Sequence, residues 1–411
     1  MFYNFNVVFI ILFRDDIITP SFKEWNREES NKLAKSSSLK SFLMKKYEKT
    51  GAVNILEEIK FQNTGIPTLN YVLSGKPLTG GVPLSGKMTV IYGPDGAGKT
   101  SLVEEIIATA QAAGIDIVYI DTERSITRPR LEQFGVDVEA LTYATPEFIE
   151  EVFSVIEDTC MYKLAEKDST PTLIVWDSVA GTPAKQTLEH NADDNEFAAE
   201  SRALTRGLKR VRGKIKTSNV GVIFVNQARA NMERFGDEFN MPGGYAFRHM
   251  CDMIVRVNRL KDKKRTDGQI IKISTPSKNR MFRPFQSTEV FFNFDTGFTR
   301  ENIIASFVDF LVTIGLIGTS GAWCYLQSDV DSVMAKDGLS ESEVVKKVRK
   351  FYRKDYTEDL IANDEEYQKL LKISEDFIQK NVDMIAERGK DQEFEGREED
   401  TSSPDDLCDI D

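Results

Sequence analysis

The sequence predicts an α/β protein built on a mostly parallel central sheet covered by helices, and three observations carry that prediction. Short apolar runs rich in β-forming residues recur at Met88–Tyr92, Ile115–Ile120, Thr172–Trp176, Val220–Val225 and Met253–Val257, with helical patterns between them. A glycine-rich turn, Gly93-Pro94-Asp95-Gly96-Ala97-Gly98-Lys99-Thr100, joins the first run to a helical pattern that ends at Gly114. Polar residues close the next runs: Asp121-Thr122-Glu123, Asp177-Ser178 and Asn226-Gln227. With 411 residues, 41% hydrophobic and 29% charged, the chain can bury a sizeable core and reads as a soluble globular protein.

Taken in order, the chain begins with an apolar stretch, Phe2–Phe13. It is shorter than the roughly 18 residues a membrane span needs, and it lacks the basic leading region and cleavage site of a secretory signal. It reads either as a docking strand or as translation from a start upstream of Met44. A polar linker then leads into a short helix at Leu39–Tyr47. After the first two strands, Thr145 as N-cap and Pro146 at the first helical position start a helix that aligns Phe148, Val152, Phe153 and Ile156. Between Ser201 and Lys216, Leu204, Leu208, Val211 and Ile215 form a stripe to pack on the sheet. The same helix carries seven bases and no acid: Arg202, Arg206, Lys209, Arg210, Arg212, Lys214 and Lys216. Ser340–Ala386 reads as two or three charged amphipathic helices, with Val344, Val345, Val348 and Phe351 at helical spacing.

The net charge is −12, but Asp391–Asp411 alone holds ten acids and one base, so the other 390 residues carry −3. That tail has little apolar content and reads as disordered. The expected organisation is an N-terminal segment at 1–59, a catalytic core at 60–325, a helical region at 326–390 and the tail at 391–411. Four dispersed cysteines and two histidines argue against a disulfide scaffold or a zinc site.

Strand, glycine-rich loop and helix in this order form a P-loop, whose backbone N–H groups and helix N-terminus cradle phosphates. Gly93–Ser101 would line the nucleotide, with Lys99 on the β and γ phosphates and Thr100 on Mg²⁺. In open α/β sheets the ligand sits beyond the carboxyl ends of the strands. That geometry makes Asp177 the carboxylate that holds Mg²⁺ directly or through water, Glu123 the candidate base for the attacking water, and Gln227 a neutral group able to sense the γ phosphate.

These motifs together resemble the RecA-type recombinases. The resemblance spans about residues 60 to 325 and rests on Thr64-Gly65, YGPDGAGKTS, YIDTE, LIVWDSVA, VIFVNQ, Gly243-Gly244, Lys278-Asn279-Arg280 and Gly321-Ala322-Trp323. The size and acidic tail resemble the bacteriophage UvsX-like branch. The resemblance implies a RecA-type core and an ATP- and Mg²⁺-dependent, DNA-stimulated ATPase that forms a filament on single-stranded DNA and pairs it with homologous duplex. It makes Glu123 the catalytic glutamate and Gln227 the γ-phosphate sensor at the start of the second DNA-binding loop. Lys278 and Arg280 match residues that reach the neighbouring subunit's ATP site; taken alone, they would be a solvated loop. Arg130 stands where many members carry a tyrosine that stacks on adenine.

Single-strand binding needs a cationic groove and groups that enter between bases. The candidates are Arg202 and Arg206, then Arg229, Arg234 and Phe235 in the segment after Gln227, the pair Gly243 and Gly244, and Lys185 in the preceding polar loop. Phe235 serves equally well as a buried loop anchor. In the family an N-terminal segment docks on the next core, and the helix near Phe42 and Leu43 is the candidate here. Single-strand-binding and loading proteins are further candidate partners, and no membrane contact is expected in a cytoplasmic protein. Two other readings stay open at this point: a RecA-fold motor such as a helicase, and an ATP-binding mediator that scarcely hydrolyses.

Overall fold

The five apolar runs do become neighbouring parallel strands, and each has the length and burial its pattern requires. In the computed structural model the described residues are 59–188, 196–230, 239–260, 267–382 and 385. The candidate docking helix at Leu39–Tyr47, Arg234, Phe235 and the acidic tail lie outside them. The central sheet has eight strands: β1 (Met88–Gly93), β2 (Asp116–Asp121), β3 (Leu141–Ala144), β4 (Thr172–Asp177), β5 (Val220–Gln227), β6 (Met253–Leu260), β7 (Gly268–Ser274) and β8 (Ser287–Asn293). Their order across the sheet is β8-β7-β6-β1-β5-β4-β2-β3. Six strands, from β6 to β3, run parallel. β7 and β8 extend the sheet antiparallel; their alternating, half-exposed residues lack the continuous apolar signal of central strands.

The helices in chain order are α1 (Pro67–Ser74), α2 (Lys99–Ala112), α3 (Arg128–Gln133), α4 (Ile149–Ala165), α5 (Glu196–Thr217), α6 (Gly244–Met250) and α7 (Arg300–Ile314). The pleat divides the core into two layers. Ile91, Ile117, Val175, Ile223 and Val255 face α1 and α2, which contribute Leu69, Leu102, Ile106 and Ile107. Val90, Val118, Trp176, Phe224 and Ile254 face α4 and α5, which contribute Val152, Phe153, Ile156, Leu208, Val211 and Ile215. The predicted stripe of the basic helix is therefore its buried face. Gly207 on that face lets α5 approach α4 closely: a Cβ there would lie 2.0 Å from Phe153 Cδ2.

Two element boundaries differ from expectation. α4 begins at Ile149 with Phe148 as its N-cap, so Thr145 and Pro146 precede the helix. The tertiary bond from Ile149 N–H to Pro183 O (3.0 Å) and the bond from Glu147 N–H to Glu151 Oε2 (3.1 Å) fix the start there. Beyond α7 come a hairpin, β9 (Ile317–Ser320) and β10 (Trp323–Leu326), and helices α8 (Gln327–Asp337), α9 (Glu341–Val344), α10 (Arg353–Ala362) and α11 (Asp364–Lys380). The helix containing Val344 ends after one turn, because Phe351 pairs with Cys324 through two backbone bonds of 2.8 and 3.0 Å. Leu360, Leu370, Leu371 and Ile378 pack with Ile304, Phe307 and Leu311 in a third core. Glu375 on α11 also accepts the N–H groups of Leu78 (2.9 Å) and Thr79 (3.0 Å), tying this region to the turn after α1. Among the described residues no helix is long and apolar enough to cross a membrane.

Candidate active site

The glycine-rich turn leaves β1 at the carboxyl edge of the sheet, directly beside Gln227, with which Gly93 is in register. Gly96 (φ 68°) and Gly98 (φ 90°) adopt the left-handed conformation that favours glycine. At Gly98 a Cβ would also lie 2.5 Å from Ile271 Cδ1 on β7. The turn delivers the chain into α2, whose first-turn N–H groups have no carbonyl acceptor within the helix. Asp95 and Gly96 are exposed, Ala97 is buried, and the half-buried Pro94 and Gly98 complete the cradle before Ser101. Lys99 Nζ folds back to donate to Gly93 O (2.9 Å) and Pro94 O (2.8 Å). Burial lowers its pKa against the opposing pull of Asp95, Asp177 and Glu123.

Three carboxylates converge from β2 and β4, where Asp121 and Asp177 are in register. Asp177 Oδ2 accepts from Thr100 Oγ1 (2.8 Å) and from Tyr119 Oη (3.2 Å). Burial pushes the Asp177 carboxyl up to about 6, with Glu123 adding to the rise and the Thr100 hydrogen bond opposing it. The side chain of Glu123 accepts a hydrogen bond from Ser178 Oγ. A Cβ on Gly181 would come within 3.0 Å of Glu123 Cγ, so the glycine makes room for it. A hydroxyl and a carboxylate at hydrogen-bond distance, beside a phosphate-binding loop, are the oxygen donors a hard divalent cation takes. The Thr100–Asp177 pair therefore fits Mg²⁺.

Gln227 ends β5, and the preceding Asn226 donates from Nδ2 to Pro242 O (2.8 Å), bridging the two ends of the segment between them. Arg229 lies in a two-residue strand, Arg229–Ala230, paired with Phe239–Asn240. Gly243 (φ 64°) caps α6, and a Cβ on it would approach Leu204 Cδ1 to 2.7 Å. Gly244 opens the helix. Next to it stands Tyr245, 81% exposed, with its ring centroid 4.4 Å from that of His249.

The bases of α5 divide along its length. Arg210 Nε pairs with Glu157 (2.8 Å), as does Lys214, while Arg202 and Arg206 are exposed and carry no ion pair among the described residues. Lys185, in a short 3₁₀ turn, pairs with Glu151 at 2.9 Å. Arg130 is clamped to α2: it donates to Glu104 Oε1 (2.6 Å) and Oε2 (2.8 Å) and to Ser101 Oγ (3.0 Å), and its side chain stays 42% exposed. Its fully buried partner Glu104 was not singled out by the sequence, where nothing distinguishes it from the adjacent Glu105.

Lys278 and Arg280 lie at the other end of the sheet. The 278–280 segment bonds to the amino end of β6, through Lys278 O with Ile254 N–H (2.9 Å) and Arg280 N–H with Asp252 O (3.1 Å). Asp252 N–H in turn donates to Met88 O, at the start of β1 (2.8 Å). The P-loop leaves the far end of β1, five residue steps or about 17 Å away. Arg280 Nη1 pairs with Asp252 Oδ1 (3.1 Å), and Lys278 Nζ donates to the carbonyls of Arg248 and His249 at the end of α6.

Known proteins carry the same sequence pattern. A family model described as the RecA N-terminal domain matches residues 35–299. Protein RecA of Aquifex aeolicus (strain VF5) is 30% identical over 278 residues, covering 66% of this chain and 77% of that protein. Protein RecA of Malacoplasma penetrans (strain HF-2) is 28% identical over 330 residues, covering 77% of this chain and 97% of that protein. A P-loop at the carboxyl edge of a mostly parallel sheet, with these relatives along most of the chain, makes this protein a member of the RecA family of recombinases, which act in DNA recombination and repair.

Proposed function

We propose that this protein is a DNA-dependent ATPase that forms a filament on single-stranded DNA and pairs it with homologous duplex. The observation that carries the reading is the separation along one sheet of the P-loop and its carboxylates from the cations Lys278 and Arg280. A basic pair that far from its own loop can act on phosphates only across an interface, in the next copy of the chain. Contact between unlike surfaces builds a ring where the rotation closes and an open helical filament where it does not, and the filament is the form this reading takes.

In this reading Lys99 and the first-turn N–H groups of α2 bind the phosphates, Thr100 and Asp177 hold Mg²⁺, and Glu123 takes the proton of the attacking water. When bound, Mg²⁺ supplies charge neutralisation at the phosphate oxygens. The Lys278 and Arg280 of a neighbour stabilise the charge that develops on the transferred group. Gln227 links nucleotide state to the 228–242 segment that carries Arg229, Arg234 and Phe235, and α5 adds Arg202 and Arg206 to the DNA-facing cations. Gly243 and Gly244 allow close backbone approach to the strand, and Lys185 joins the contact after leaving Glu151. Arg130 offers the base the planar face of a fixed guanidinium.

The test is steady-state ATP hydrolysis with and without single-stranded DNA, over a range of protein concentrations. The expected result is a large stimulation that rises cooperatively with protein. Turnover indifferent to DNA, or stimulated equally at every protein concentration, would overturn the reading.

A further inference from the structure

Asp121 is 1% exposed and lies two residues before Glu123, yet the chemistry above gives it no part. Its carboxylate is saturated. Oδ1 accepts the N–H groups of Glu123 (3.1 Å) and Arg124 (2.7 Å), while Oδ2 accepts the N–H of Ile126 (3.2 Å) and the hydroxyl of Tyr143 (2.8 Å). A carboxylate has about four acceptor sites, and here all are used. The loop it folds is a demanding one: Arg124 takes φ 53°, a conformation few residues with side chains adopt. Tyr143, on the edge strand β3, closes the arrangement from outside, its ring stacked on Tyr119, whose hydroxyl reaches Asp177.

We propose that Asp121 is a positioning residue for ATP hydrolysis: it fixes the main chain of Glu123 while Ser178 holds the side chain. This rests on the reading of Glu123 as the base. An amide at the position could accept fewer hydrogens and would present its own N–H donors to Ile126 and Tyr143. Glu123 would then lose its register with the reacting water, and displacements of about 1 Å at a reacting group cost on the order of 100-fold in rate.

The experiment is a double-mutant cycle on the full chain with single-stranded DNA, read as single-turnover hydrolysis and as KM for ATP. Asp121→Asn is expected to lower kcat about 10- to 100-fold with KM changed less than about two-fold. In the Glu123→Gln background the same substitution should remove less than about two-fold more, since a positioned group already lost cannot be lost again. Losses that multiply, or a KM that moves as far as kcat, would overturn the positioning role and leave Glu123 as the base. Full turnover by Glu123→Gln alone would overturn that assignment and the proposal with it. Should Asp121→Asn fail to fold, Tyr143→Phe removes a single donor. A loss of about two- to ten-fold that vanishes in Glu123→Gln supports the proposal, and an equal loss in both backgrounds, or none, overturns it.

Discussion

At the carboxyl end of the central sheet Asp121, Glu123 and Asp177 gather beside Lys99 at the start of α2; Asp121 accepts the N–H of Glu123, Asp177 accepts from Thr100, and Lys99 donates to the carbonyls of Gly93 and Pro94. At the amino end, Lys278 and Arg280 meet one acid, Asp252, and the carbonyl end of a short helix. The first cluster has acids in excess of bases and the second has bases in excess of acids. Each end has what the other lacks. In the filament proposed above, opposed charge at opposite ends of the sheet would guide the encounter of one copy with the next by electrostatic complementarity.

The severest way to break this comparison is to disable the acidic end. Lys99→Ala should abolish measurable turnover, and Glu123→Gln should lower it about 10²- to 10⁴-fold while ATP stays bound, as nucleotide binding and hydrolysis measured in parallel would report. At the basic end, Lys278→Ala should remove about 10³-fold or more of the DNA-stimulated rate and leave the isolated protomer's nucleotide affinity unchanged. Mixing Lys99→Ala with Lys278→Ala should then restore up to about a quarter of the wild-type rate, because some junctions join an intact loop to an intact cation. Absence of any recovery from mixing would mean that the two ends do not meet.

Smaller effects sharpen a second contrast, between the two flanks of α5. Gly207→Ala, on the buried flank, should destabilise the fold by about 1–3 kcal/mol in denaturant titration, since the added methyl meets Phe153. On the outer flank, Arg202→Ala should weaken single-strand binding uniformly over sequences and reduce the slope of log affinity against log salt by about one. Arg210→Ala, whose guanidinium is already held by Glu157, should change that slope less than Arg202→Ala does.

Much of this arrangement was legible because it is local. The P-loop declares itself through glycines that need left-handed φ, and Asp177 stands directly after, and Glu123 three residues after, apolar runs that had to be strands. The buried face of α5 followed from Leu204, Leu208, Val211 and Ile215 alone. What the sequence withheld is pairing at a distance. Arg130 meets Glu104 across 26 positions, and Asp121 meets Tyr143 across 22, with no periodicity to announce either. The start of α4 was misplaced for the same reason: Thr145-Pro146 is a good local signal, but the bond from Ile149 to Pro183 decides the boundary. β7 and β8 escaped notice because strands half open to solvent lack a continuous apolar run.

The distance along β1 between Met88 and Gly93 also has an arithmetical consequence for a stack of copies. In an open row of n protomers there are n − 1 junctions, so one P-loop at a fixed end always lacks its cation. A pair would work at about half its capacity per chain and a row of ten at about nine-tenths, which makes specific activity a gauge of mean length. The unfinished end is the same end in every row. Fragmenting a row would slow its consumption of ATP without altering any residue, and joining two rows would restore it.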